Sequence, residues 1–107
     1  MKINISPAAL EDIQEIKRYI SEELQNPEAA QKIVIGILER IKKVRDFPEI
    51  GALLSRKIGT HTNYRFISCG NYLAFYRIKD CTIFFDRVLY AKRDYTRILF
   101  SDNNLQQ

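Results

Sequence analysis

At 107 residues the chain has the length of one small domain, with nothing left over for a second independent core. Its 46% hydrophobic and 28% charged content, with four glycines and three prolines, excludes disordered and fibrous classes. The net charge of +4 is unevenly spread: residues 1–50 carry eight Lys/Arg against nine Asp/Glu, and residues 51–107 carry nine against four. That C-terminal surplus favours a polyanionic partner such as nucleic acid, or an acidic protein segment.

No apolar run approaches the roughly 18 to 20 residues of a spanning helix, and no charged-then-apolar leader opens the chain. The expectation is a cytoplasmic protein with no membrane partner, in which Cys69 and Cys81 stay reduced.

In chain order, Lys2 to Ile5 alternates as a short first strand, and Ser6-Pro7 supplies an N-cap followed by proline at the first helical position. Leu10, Ile13, Ile16, Ile20 and Leu24 recur at helical spacing, and Ile5 is placed to staple onto Leu10 across the cap. Asn26-Pro27 repeats the start signal, and Ala30, Ile33, Val34, Ile37, Leu38, Ile41 and Val44 form a stronger stripe that Phe47-Pro48 ends. So short a connection predicts an antiparallel helical hairpin.

Residues 49–63 lose periodicity and read as a long loop with room for one short edge strand. Tyr64–Cys69, Tyr72–Ile78 and Thr82–Tyr90 are rich in aromatic and β-branched residues and are separated by Gly70-Asn71 and Lys79-Asp80, which predicts three antiparallel strands. The last is nearly continuous in apolar residues, as suits an inner strand parallel to the first. Lys92 to Phe100 reads as a terminal helix, and residues 101–107 as a polar tail beyond a single domain of residues 1–100. The expected class is α+β, in the order β-α-α-β-β-β with a short C-terminal helix, the hairpin covering one face of the sheet and little covering the other.

Chemistry-bearing patterns are sparse. His61 is the single histidine, so no zinc spacing exists, and glycines 36, 51, 59 and 70 match no phosphate-binding loop; neither metal nor cofactor is expected. Glu11-Asp12 and Glu22-Glu23 are adjacent on helices and diverge, which is poor geometry for acid/base partners. What remains is a basic and aromatic set: Arg56, Lys57, Arg65, Arg77, Arg87, Lys92, Arg93 and Arg97 with Tyr64, Tyr72, Tyr76, Tyr90 and Tyr95. Such a set suits single-stranded nucleic acid or an acidic peptide, unless the strand arginines Arg77 and Arg87 are spent internally on Asp80 or Asp86.

Taken together, Asn26-Pro27-Glu28-Ala29-Ala30, Phe47-Pro48-Glu49-Ile50-Gly51, Tyr64-Arg65, Gly70-Asn71-Tyr72-Leu73 with Phe75-Tyr76, and the run from Arg87 through Lys92-Arg93-Asp94-Tyr95 resemble the RelE/ParE superfamily of bacterial type II toxins. The resemblance covers nearly the whole chain. It implies the fold described above and a cognate antitoxin laid over a groove between hairpin and sheet, with Ile16, Tyr19, Ile33 and Ile37 as candidate contacts.

The superfamily has two branches. RelE-like members cleave messenger RNA on the ribosome, whereas ParE-like members poison DNA gyrase and need no active site of their own. Aligned on the hairpin and on Lys92-Arg93, the position of a RelE-like central arginine falls at Ser68 and that of the terminal tyrosine at Leu99. Arg93 is retained, while Arg65 and Tyr95 lie near the other expected places. A site without a phosphate clamp and a proton-transfer group forfeits both electrostatic and acid/base assistance. The resemblance therefore favours a gyrase inhibitor whose target contacts are Arg56, Lys57, Lys92, Arg93 and Arg97, with no catalytic residues. The alternatives are a ribosome-dependent ribonuclease using Arg65, Arg93 and Tyr95, and a toxin-fold binding protein without a target.

Overall fold

In the computed structural model, which describes residues 1–101, the strand Lys2–Ile5 (β1) leads into the helix Pro7–Arg18 (α1). Ser6 makes the junction: its hydroxyl accepts from Ala9 N–H at 3.0 Å and donates to the Asp86 carbonyl at 2.9 Å. The helix start is thereby fixed to a distant strand as well as capped. The buried stripe of α1 is Ala9, Ile13 and Ile16. Leu10 stands 48% exposed, so the staple expected from it gives way to the serine tie.

The first helix also ends differently from the simple periodic reading. Tyr19–Glu23 form a π-helical turn, in which Leu24 N–H reaches the Tyr19 carbonyl and Asn26 N–H the Ile20 carbonyl. The wider turn keeps Ile20 in the core and swings Leu24 out of the stripe to 56% exposure. Gln25 then takes a left-handed φ of 51°, and Asn26, accepting from Ala29 N–H, starts the helix Pro27–Asp46 (α2). Ala30, Ile37, Ile41 and Val44 are its buried face; Leu38, expected among them, is 40% exposed.

The segment expected to be loop carries the edge strand Ala52–Leu53 (β2) and a further short helix, Leu54–Ile58 (α3), closed by Gly59 at φ 72°. The strands Arg65–Cys69 (β3), Tyr72–Lys79 (β4) and Thr82–Tyr90 (β5) follow as the meander, and the helix Tyr95–Leu99 (α4) begins only at Asp94, whose carboxylate accepts from Arg97 N–H. The sheet order is β1-β5-β4-β3-β2, with β1 parallel to β5 and the other neighbours antiparallel. The expected polar tail falls, beyond Ser101, outside the described residues.

Two cores result. Helices α1 and α2 bury one face of the sheet around Ile13, Ile41, Tyr76, Ile83, Phe85 and Val88. The opposite face, expected to stand nearly bare, is covered: Leu54 and Ile58 of α3, with Tyr95, Ile98 and Leu99 of α4, pack on Leu73, Phe75 and Leu89. Five-residue helices escape a periodicity test. The signal for α3 was present as Leu54 and Ile58 four apart, followed by a C-terminal glycine.

Between Phe75 and Tyr76 the register slips: Phe75 pairs with Arg87 and Tyr76 with Phe85, leaving Asp86 as a bulge. Phe85 and Val88 therefore share one face although they are three residues apart, and β5 reads as nearly continuous in apolar residues because both of its faces are covered. Beyond the end of β1, Asp12 of α1 occupies the vacated edge of β5. Its carboxylate accepts from Val88 N–H at 2.9 Å and grips Arg87 through Nε at 2.8 Å and Nη2 at 2.9 Å. That hydrogen bonding holds Arg87 above the usual guanidinium value, against the desolvation of its partial burial.

The turn at residues 47–51 is held from beneath. The buried Tyr76 hydroxyl donates to the Pro48 carbonyl at 2.7 Å and accepts from Gly51 N–H at 2.9 Å. A Cβ on Gly51 would lie 2.5 Å from that hydroxyl and 2.9 Å from the Phe66 carbonyl oxygen. Tyr76→Phe is expected to lower stability by about 1–3 kcal/mol, since it leaves a buried donor and acceptor unanswered. Gly51→Ala is expected to cost at least as much, and urea unfolding of the two variants beside the parent measures both losses.

Candidate functional site

The sequence-nominated residues fall into three places. Arg56 and Lys57 stand on α3, Lys92 and Arg93 in the turn after β5, and Arg97 on α4. All five are exposed, and none forms a salt bridge among the described residues. Because α3 and α4 pack on the same second core, Arg56, Lys57 and Arg97 stand on helices that cover the face of the sheet away from the hairpin, with Lys92 and Arg93 in the turn that leads to α4. Lys57 Nζ lies 5.6 Å from the centre of the Phe66 ring, its stem lying along apolar surface.

Arg65, Arg93 and Tyr95 are not brought together as a site. Arg65 pairs across the sheet with Tyr76 on the hairpin face, and its guanidinium donates to the Gly51 carbonyl at 2.8 Å and the Glu49 carbonyl at 3.3 Å. Tyr95 packs on Phe75 on the opposite face, with ring centroids 5.1 Å apart. Leu99, at the terminal position, is fully buried, and Ser68, at the central position, is exposed.

Of the strand arginines, Arg77 pairs with Asp86 as expected, at 2.8 Å, whereas Arg87 goes to Asp12 rather than to Asp80 or Asp86. The same Asp86 oxygen accepts from the Tyr64 hydroxyl at 2.7 Å. Burial first, and that bond second, push the Tyr64 phenol well above its ordinary value. Burial likewise raises Tyr72 and Tyr76.

The nominated hairpin residues divide. Ile16 and Ile37 belong to the first core and are buried, Ile37 where it lines the floor of the groove described next; Ile33 is half-buried and Tyr19 is 52% exposed. What the sequence did not disclose is the position of the groove, which runs between α2 and the end of β3, past Ile33, Ser68, Cys69 and Gly70. Its helix wall carries Lys32, Arg40, Lys42, Lys43 and Arg45 against Glu39 and Asp46. Cys69 is a free thiol there; burial raises it, with the adjacent Arg40 opposing. Among the described residues no group of three or more His, Cys, Asp or Glu could hold a metal ion, and no helix is long and apolar enough to cross a membrane.

A mixed sheet between a helical hairpin and two short helices is a known arrangement. The chain is similar in fold to a solved chain of the chromosomal ParDE TA system from P. aeruginosa, with a TM-score of 0.72 and 22% identity over 86% of this chain and 97% of that one. Residues 3–95 match the family described as ParE toxin of type II toxin-antitoxin system, parDE, and the chain belongs to that family. No curated protein matches it.

The raised phenols give a pH prediction. Folding favours the protonated form of Tyr64, Tyr72 and Tyr76, so their contribution is whole below about pH 10, where unfolded tyrosine titrates, and declines as pH rises beyond it. Urea midpoints measured through the alkaline range should fall, and Tyr64→Phe should make that fall shallower.

Proposed function

We propose that this ParE-family toxin inhibits bacterial growth by poisoning DNA gyrase, and that a cognate antitoxin holds it inactive. The carrying observation is the set of five exposed cations on and beside α3 and α4, none in a salt bridge among the described residues. Exposed, rigidly based cations suit a target that presents phosphates, such as an enzyme engaged on DNA. Arg56, Lys57, Lys92, Arg93 and Arg97 are the proposed target contacts.

The geometry favours this over ribosome-dependent cleavage of messenger RNA. Arg65 is committed to the carbonyls of the 47–51 turn, and Tyr95 packs into the core of the opposite face. A phosphate clamp and a proton-transfer group have to converge on one scissile bond, and this pair diverges across the sheet.

The test is supercoiling of relaxed plasmid by gyrase in the presence of antitoxin-free protein. The expected result is lost supercoiling together with trapped linear DNA; supercoiling that proceeds normally beside well-folded toxin would refute the gyrase reading. Replacing Lys92, Arg93 and Arg97 together by alanine should raise the toxin concentration for half-inhibition by ~tenfold or more, equivalent to about 1.4 kcal/mol of lost interaction. The same variant should keep its antitoxin affinity, and full toxicity in it would refute the site assignment.

A further inference from the structure

The two small helices cover only part of the sheet face they pack on. The core beneath them takes in Leu73 and Phe75 of β4 and Leu89 of β5, and the next side chains of β4 on that face, Arg77 and Lys79, lie outside it. Register sets these in two rows that cross three strands. Asn4, Phe84 and Arg77 form one row, and Lys2, Thr82 and Lys79 form the other. Ile3 and Ile83, between the rows, turn into the hairpin core, so both rows look away from it. Lys2, Asn4 and Lys79 are exposed, and Thr82, Phe84 and Arg77 are half-buried.

Arg77 is the fixed member. Its Nε donates to the Asp86 carboxylate at 2.8 Å, and its guanidinium carbon lies 4.7 Å from the centre of the Phe84 ring. Held at one edge and over a ring, the planar group has already given up the rotamer freedom that a ligand would otherwise have to remove, and its outer nitrogens form a fork that matches a phosphate. Lys2 and Lys79 are in no ion pair among the described residues. Strand geometry starts them about 10 Å apart on either side of Thr82, with Arg77 about 7 Å along β4 from Lys79. Of the two acids nearby, Asp86 is taken up by Arg77 and Tyr64, and Asp80 stands in the turn past Lys79.

Three cations on an open platform, with a ring and two short polar side chains between them, offer phosphate contacts and base contacts together. A duplex keeps its bases stacked inside and would meet such a platform through phosphates alone, so the arrangement fits a strand whose bases are open. We propose that this half of the sheet binds single-stranded nucleic acid, with Lys2, Arg77 and Lys79 taking phosphates and a base laid against the stack of Arg77 on Phe84. Asn4 and Thr82 are the polar groups left for the edge of that base. The surface lies toward the Lys79–Thr82 end of β4, whereas Ser68, the position a cleavage site would use, pairs with Leu73 near the other end. It is a binding surface with no cleavage role, and it does not depend on the gyrase reading.

The probe is a fluorescein-labelled oligothymidylate of about 12 nucleotides, titrated with the whole antitoxin-free chain and read by anisotropy. Binding should saturate, and the logarithm of affinity should fall against the logarithm of salt with a slope of about −2, as three phosphate contacts to a single strand require. Lys2→Gln together with Lys79→Gln, both at exposed positions, should bring that slope to about −0.7 and weaken binding by ~tenfold or more. Arg77→Lys keeps the charge and loses the plane, so it should weaken binding with the slope unchanged. In isotope-labelled protein the amide signals of Lys2, Phe84 and Lys79 should move on titration. Replacing Arg56, Lys57 and Arg97 by alanine should leave the affinity within ~twofold.

No saturable binding, amide shifts confined to α2 or to α3 and α4, an affinity indifferent to the paired lysine change, or equal affinity for a dT·dA duplex of the same length each overturns the proposal. The readout contains no gyrase, so the two readings fail separately. A chain that binds the strand but leaves supercoiling intact loses the gyrase assignment alone. One that traps gyrase and ignores the strand loses the sheet-face assignment alone.

Discussion

The bulge at Asp86 is the constraint on which most of the structure depends. One extra residue in β5 changes which side chains face which layer, so that Phe85 and Val88 both join the hairpin core while Leu89 joins the other. The bulged residue is then used twice. Its carbonyl receives the Ser6 hydroxyl and so seats the start of α1, and its carboxylate gathers Tyr64 and Arg77 on the opposite face. The next two residues meet Asp12, which substitutes for the missing strand beyond Ile5. A regular β5 would have put Val88 with the small helices and turned Arg87 and Leu89 toward the hairpin.

Much of this architecture was legible in the residues. Two serine or asparagine caps followed by proline marked both long helices, and three aromatic-rich runs parted by turn residues marked the meander. The two failures at the first helix share a cause: local spacing cannot report a π turn or a serine whose hydroxyl is engaged across the chain, so Leu10 and Leu24 were placed on a face they do not occupy. Helix α3 was missed for a different reason: it is shorter than two turns and stable through Leu54 and Ile58 on the sheet, so its one apolar pair and closing glycine made too brief a signal.

The site was less legible than the fold, because exposure and direction belong to tertiary structure. Arginines look alike in a sequence. Arg65, Arg77 and Arg87 are committed to a turn, to Asp86 and to Asp12, while Arg56, Arg93 and Arg97 stand in solvent. Burial likewise sets Ile16 and Ile37 in the core, although their spacing is the same as that of a docking stripe. The free edge of β3 could not be inferred at all, since it arises from how late the chain joins the sheet as β2 after the turn that Tyr76 holds.

These placements put the two basic surfaces on different sides of one sheet, joined only around its β2–β3 edge. The hairpin side carries Lys32, Arg40, Lys42, Lys43 and Arg45 on α2 beside the groove, whereas Arg56, Lys57 and Arg97 stand on α3 and α4, which pack on the other face. A partner seated on one surface therefore does not by that contact cover the other, and the two can be altered by substitution independently of each other.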